Sequence, residues 1–327
     1  MKKLLYFLSF LMIVSSSWSQ SPSGCFSSGN DISFSKAFSN SRGITKGDFN
    51  NDGLLDVVVA LFANSTSNSN YAFLKGLGNG KFDTPISGLA NATQTNQVAS
   101  ADFNGDGNLD IALTNVSSST VTVLLGNGDG TFGTPVPYIV NAVKNLTLGD
   151  INEDGAIDIV TSSANSNTSL LGSVGAPGTF TLGTAFNIPG SVSDIRLADM
   201  NGDNHLDVVS VGTSGVGVSL NTVGSLGTFA NAVTYATGAS PFSLTLCDID
   251  NDGHIDVINS NKTANTISVK KNNGSGVLAA AVNYTTGAGP EGVEYADING
   301  DGNKDIIVAN GSASTMSIFY GSSSGAL

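Results

Sequence analysis

Acidic and amide side chains recur at alternate positions of one nine-residue loop, D-x-[DN]-x-D-[GN]-x-x-D, six times in this chain. Position 1 is Asp48, Asp102, Asp150, Asp199, Asp248 and Asp297, and position 3 is Asn50, Asn104, Asn152, Asn201, Asp250 and Asn299. Position 5 is Asp52, Asp106, Asp154, Asp203, Asp252 and Asp301; position 9 is Asp56, Asp110, Asp158, Asp207, Asp256 and Asp305. Position 7, able to lend a backbone carbonyl whatever its side chain, is Leu54, Asn108, Ala156, His205, His254 and Asn303. Carboxylates crowded this closely repel one another, so something must compensate them.

Every side-chain ligand at positions 1, 3, 5 and 9 is an oxygen, which suits a hard cation such as Ca2+ and not zinc or copper. About six structural Ca2+ sites are therefore expected, one per loop. An EF-hand would place a bidentate Glu at position 12; here that position is Val59, Leu113, Thr161, Ser210, Asn259 and Val308. No helical periodicity flanks the loops either. Loop five carries four carboxylates and is expected to bind most tightly. Loop four has Asn204 where the others have Gly, so a positive φ is expected there, together with the weakest site.

The loops recur at intervals of 54, 48, 49, 49 and 49 residues, so they mark an architectural repeat. After each comes a β-branched run such as "VVVALFA" or "IIVAN", then a second run such as "TVTVLL", then a Gly-rich turn. Those turns close on Phe82, Phe132, Phe180, Phe229, Leu278 and Leu327. Another extended segment and an apolar run lead into the next loop. Four short strands per repeat, with no helix, predict an all-β β-propeller built of four-stranded blades.

These repeats resemble the FG-GAP (VCBS-type) family, whose calcium-loop blades build the integrin α-subunit propeller and many secreted bacterial proteins. The resemblance runs over about residues 32–327. It implies a propeller with a calcium loop between the first two strands of each blade. It does not fix a function, because the family serves adhesion, sugar binding and accessory roles in enzymes.

The net charge of −13 argues against nucleic acid or an anionic membrane as partner. Yet 19 of the 26 acidic residues occupy ligand positions of the loops, so the acidity marks metal sites first, and six Ca2+ would bring the chain close to neutral. Residues 1–19 read as a Sec-type signal peptide: "MKK", an eleven-residue apolar core too short to span a bilayer, and a small-residue cleavage region ending at Ser19. A tail over 20–31 and the propeller over 32–327 follow, and no other segment could form a transmembrane span. The expected location is secreted or extracellular surface. Lipid attachment at Cys25 is disfavoured by Pro22 at the usual Leu position and by its distance from the apolar core. The equivalents of Cys247 in the other repeats are Gly47, Ala101, Gly149, Ala198 and Ala296, so Cys247 reads as a buried small residue and not half of a disulfide.

Catalytic residues are scarce. The only histidines, His205 and His254, occupy position 7 and read as exposed loop residues, leaving nothing to assemble a nucleophilic triad. Glu291 and Glu294 are a weak candidate for a carboxylate pair. The one tryptophan, Trp18, lies in the signal peptide, and Arg42 and Arg196 are the only arginines, so sugar stacking and bidentate anion capture are poorly supplied. Tyr138, Tyr235 and Tyr284, with Phe186, sit six residues past their turn anchors and read as inter-blade packing. The expected function is a monomeric, integrin-like binding or adhesion module whose face loops engage a protein or glycan. The alternative is a propeller-fold polysaccharide lyase or hydrolase, or the accessory propeller of one. Because the sixth repeat stops at its turn anchor, residues 32–40 are expected to supply its fourth strand and close six blades. An incomplete seven-bladed propeller is the competing reading.

Overall fold

A computed structural model describes residues 41–62, 70–140, 143–164 and 167–327. Its regular structure is entirely strand. Blade one is β1 (Ser41–Gly47), β2 (Asp56–Leu61), β3 (Tyr71–Leu74) and β4 (Ile86–Gly88). Blade two is β5 (Thr95–Ala101), β6 (Asp110–Asn115), β7 (Thr120–Leu124) and β8 (Val136–Ile139). Blade three is β9 (Asn145–Gly149), β10 (Asp158–Ser162), β11 (Thr168–Gly172) and β12 (Phe180–Leu182). Blade four is β13 (Val192–Ala198), β14 (Asp207–Gly212), β15 (Gly215–Ser219) and β16 (Val233–Tyr235). Blade five is β17 (Pro241–Cys247), β18 (Asp256–Asn261), β19 (Thr266–Lys270) and β20 (Val282–Thr285). Blade six has three strands among the described residues, β21 (Pro290–Ala296), β22 (Asp305–Asn310) and β23 (Thr315–Phe319). Each sheet is an antiparallel meander in chain order, the repeating blade of the β-propeller class.

The strand types follow from burial. Second strands such as β2, "DVVVAL", and β22, "DIIVAN", are buried at every position, so they read as unbroken β-branched runs. First strands alternate more: β5 and β13 both bury positions 1 and 4 and leave the others half-covered. Fourth strands β4, β8, β16 and β20 are mostly exposed. A register shift opens β1, β5, β13, β17 and β21, and it lets Pro241 and Pro290 begin two of them without a lost ladder bond.

The contacts divide the chain into two compact units. The first holds the described residues up to Leu146 with Gly155–Ile157 and Gly172–Thr181; the second holds Thr147–Asp154, Asp158–Leu171 and Leu182–Leu327. In the first unit, blades one and two close a core around Phe49, Val58, Phe73, Val98, Ile111 and Leu124. In the second, one core joins Val209, Val216 and Leu244, and another joins Ile249, Ile267, Val293 and Ile306.

Two readings of the repeat stand in these cores. Tyr138 packs edge-on against Phe180 at 5.4 Å, and Phe186 lies 5.0 Å from Phe229, so the aromatic past each anchor meets the anchor of the following blade. Cys247 is buried and unpaired. Its equivalents explain the demand for small residues: a Cβ on Gly47 would lie 2.2 Å from Leu109, and one on Gly149 would lie 2.8 Å from Leu197 and Leu206. The proposed signal peptide, the tail with Cys25, and the closing strand at 32–40 lie outside the described residues. No described helix is long and apolar enough to cross a membrane, which leaves strand-built membrane proteins unaddressed.

Candidate metal centres

Each loop joins the first two strands of its blade, and its backbone explains much of its composition. Two residues per loop hold the left-handed conformation. Position 6 is glycine at φ 80 to 90° in five loops, and Asn204 at φ 66° in loop four, as its residue type predicts. Position 4 requires the same conformation, with Asn51, Glu153 and Asn251 at φ 56 to 59°. The sequence reading missed this second requirement, although the mixture of Asn and Gly at position 4 carries the signal.

Position 1 is wrapped by the backbone of its own loop. Asp102 Oδ1 accepts the N–H groups of Gly105 and Asp106 at 2.7 and 3.2 Å, and its Oδ2 accepts that of Gly107 at 2.8 Å. Asp199 does the same for Gly202, Asp203 and Asn204. Asp48, Asp248 and Asp297 each accept two loop N–H bonds, and Asp150 accepts that of Asp154. At position 3, the amide oxygens of Asn50, Asn104, Asn152, Asn201 and Asn299 accept the N–H of position 5 at 2.9 to 3.1 Å. Asp52, Asp106, Asp203, Asp252 and Asp301 at position 5 accept the N–H of position 7. That bond is the main reason the carboxyls of Asp52, Asp106 and Asp301 are held below their ordinary range.

Position 9 is different. Asp56, Asp110, Asp158, Asp207, Asp256 and Asp305 are fully buried. In all six loops one oxygen accepts the N–H of position 2, at 2.8 to 3.1 Å. The other oxygen of Asp56, Asp110, Asp207, Asp256 and Asp305 takes an N–H from the turn beyond the third strand, at Gly76, Gly126, Asn221, Asn272 and Gly321. This carboxylate latches its loop to the blade. Burial pushes Asp110, Asp207 and Asp256 up to about 6 and raises Asp56. The sequence reading gave position 9 only the closing of a cage and missed the latch.

Asn221 and Asn272 were also missed. Asn221 donates to the carbonyl of Ile151 at 2.8 Å, and Asn272 to that of Met200 at 2.8 Å. Each ties its turn to the loop of the preceding blade. In the first unit a glycine does this work, with Gly130 N–H on Phe49 O and Gly178 N–H on Phe103 O.

Loop five stands apart. Asp250 at its position 3 has no amide to offer its neighbours. One of its oxygens meets Lys271 at 2.8 Å, while the other is buried without a partner. Ligand oxygens of Asp248, Asp250 and Asp256 lie within 4.8 Å of one another, the one such trio among the described residues. An orphaned buried oxygen inside an all-oxygen set fits a hard divalent cation. In loops two, four and six an amide partly occupies that role. Asn104, Asn201 and Asn299 each donate to the position-5 carboxylate at 2.9 Å.

The position-7 histidines are not the exposed residues expected. Both are half-buried: His205 Nδ1 meets Glu153 at 2.5 Å, which raises its pKa, and the His254 ring lies against Gly274. Glu291 is bound by Lys262 at 2.7 Å, and Glu294 accepts a long bond from Thr245 at 3.4 Å.

Comparison with known proteins agrees with the blade and loop geometry. FG-GAP-like repeats match residues 48–113, 102–161, 150–210, 199–259 and 248–308, so the chain belongs to the FG-GAP-like repeat family. Each match starts at the first aspartate of one loop and ends just past the next. No curated protein sequence matches the chain. Among solved structures, an Agrocybe aegerita lectin that recognises non-reducing terminal N-acetylglucosamine is 19% identical. It covers 87% of this chain and 82% of its own, with a TM-score of 0.52. The V. cholerae biofilm matrix protein Bap1 is 18% identical over 78% of this chain and 41% of its own, at a TM-score of 0.51. Streptogramin B lyase is 15% identical over 90% and 87%, at 0.55. At these identities the likeness is one of fold.

Proposed function

We propose that this chain is an exported, Ca2+-stabilised binding module that engages a protein or glycan through the loops at the ends of its blades. The observation that carries the metal half is the donor set of loop five, where Asp248, Asp250 and Asp256 converge around an unpartnered buried oxygen. In each loop the side chains at positions 1, 3, 5 and 9 and the carbonyl at position 7 would hold the ion. Carboxylate oxygens that already accept one N–H keep further lone pairs for it. The ion's contribution is electrostatic: it neutralises three or four carboxylates and fixes the turn between two strands.

The binding half rests on architecture. The blades are short-stranded, and they present many loops, the arrangement in which recognition is placed on loops held by a scaffold. That one fold relative recognises a sugar and another is a biofilm matrix protein supports the same reading. The calcium-loaded chain, applied to glycan and extracellular-protein arrays, should give saturable signals that fall away after chelation. Turnover of neutral or anionic polysaccharides by the chain alone would replace this reading with the lyase or hydrolase alternative.

A further inference from the structure

One position of the third strand is filled differently in blade five from every other blade. The residue paired with loop position 10 is Leu74, Leu124, Leu170, Ser219, Lys270 and Phe319 in blades one to six. Five of these are apolar or small. Blade five alone places an ammonium there, and Lys270 is only 1% exposed. Isolated buried charges are costly unless paired and hydrogen-bonded. Among the described residues Lys270 has one partner, the carbonyl oxygen of Ala236. Its ammonium carries three N–H groups. No described carboxylate forms an ion pair with it, and Lys271 beside it is already committed to Asp250.

Lys270 is part of the wall of a cleft of about 540 Å3 between β16 and the β19–β20 pair, all within the second unit. The sheet face beside it is polar: Asn259 stands where three other blades have Val59, Leu113 and Val308 and two more have Thr161 and Ser210, and it pairs with Ser268. Thr237 Oγ1 donates to Asn259 at 2.8 Å and meets Ser268 Oγ at 2.8 Å; Ser268 Oγ reaches Asn283 Oδ1 at 2.6 Å. This network fixes Thr237 and Asn283 and leaves the Asn283 amide N–H groups on the cleft wall. A single cationic donor beside a neutral amide complements one carboxylate carried on a polyhydroxylated skeleton. A phosphate would call for more cationic donors than the cleft holds, and an apolar ligand would strand the ammonium.

We propose that the cleft beside Lys270 binds an acidic sugar of the uronic acid type, its carboxylate at Lys270 and a hydroxyl at Asn283. This names a ligand class for the binding module proposed above and rests on that reading. The bland rival is that Lys270 merely props the Ala236 carbonyl.

The calcium-loaded full chain is titrated calorimetrically with sodium D-glucuronate and, separately, with D-glucose. Saturable glucuronate binding is expected, with glucose weaker by about ten- to a hundredfold, the worth of one charged hydrogen bond. Lys270→Met should fold, since leucine fills this place in three blades, and should lose glucuronate binding by a similar factor. Asn283→Ala, at an exposed position, should weaken it several-fold. Absent saturable binding by the unaltered chain, or equal affinity for glucuronate and glucose, overturns the site. So does binding that Lys270→Met leaves unchanged. Glycan-array signals that survive Lys270→Met would overturn this cleft while leaving the module reading standing. Arrays that stay blank with the unaltered chain would remove the module reading itself.

Discussion

At the scale of single residues, the loops answer their own crowding in two ways that need no metal. Backbone N–H groups turn inward onto Asp102 and Asp199, and the position-9 carboxylate is buried as a latch. The two kinds of carboxyl respond oppositely to pH. Burial pushes Asp110, Asp207 and Asp256 up to about 6, above the ordinary carboxylate value, so the folded state binds protons more tightly. Their contribution is present at low pH and is lost as pH rises from about 4 to about 6. Asp52, Asp106 and Asp301 are depressed, so they support the fold above 3.8 and lose that support only at lower pH. The metal-free chain should therefore melt at a higher temperature at pH 5 than at pH 7, and calcium should reverse that order. Scanning calorimetry of the demetallated chain at both values checks it; an unchanged or opposite order would mean the buried carboxyls do not carry raised values. Asn204 offers a separate test at this scale. With φ at 66°, Asn204→Gly should be neutral or stabilising by up to about 1 kcal/mol, and Asn204→Val destabilising by about 1–2 kcal/mol, read from denaturant midpoints. A harmless Asn204→Val would remove the conformational argument.

At the scale of elements, the repeat was legible because each strand is announced by its neighbours. A loop of fixed spacing, a β-branched run and a Gly-closed turn recur so regularly that the run from Asp56 and that from Asp305 could be placed as the same strand of two blades. The small residue before each loop was legible as well, and its cause is the leucine packed against Gly47 and Gly149. What stayed hidden were contacts made across blades. Nothing near Asn221 in sequence says that its amide will hold the carbonyl of Ile151, seventy residues earlier. The half-buried state of His205 was hidden for the same reason, since Glu153 belongs to another loop. Lys270 was invisible too, because its meaning depends on Ala236 across the neighbouring sheet. Cys247 tests the packing of these elements directly. Burial lifts its thiol up to about 12, so it should resist a thiol reagent in the folded chain and react fully only in denaturant. Rapid labelling of the native protein, measured by mass, would show that the position before loop five is open.

At the scale of the whole molecule, the six proposed calcium sites would act together on one stability. An extracellular-type site with a Kd of about 0.1 mM contributes about 1.4 kcal/mol at about 1 mM free calcium, and six additive sites about 8 kcal/mol. Typical net stabilities are about 5–15 kcal/mol, so ions of even modest affinity would supply most of the margin. The backbone latches temper this, since they hold part of each loop without any ion. The most direct measurement is the melting temperature of the full chain across a calcium series, from excess EGTA to millimolar free ion. A rise of order 10–20 °C, graded with calcium concentration, is the predicted result. A melting temperature that stays the same in EGTA and in millimolar calcium would contradict the account at its centre, leaving the loops as hydrogen-bonded turns that need no metal.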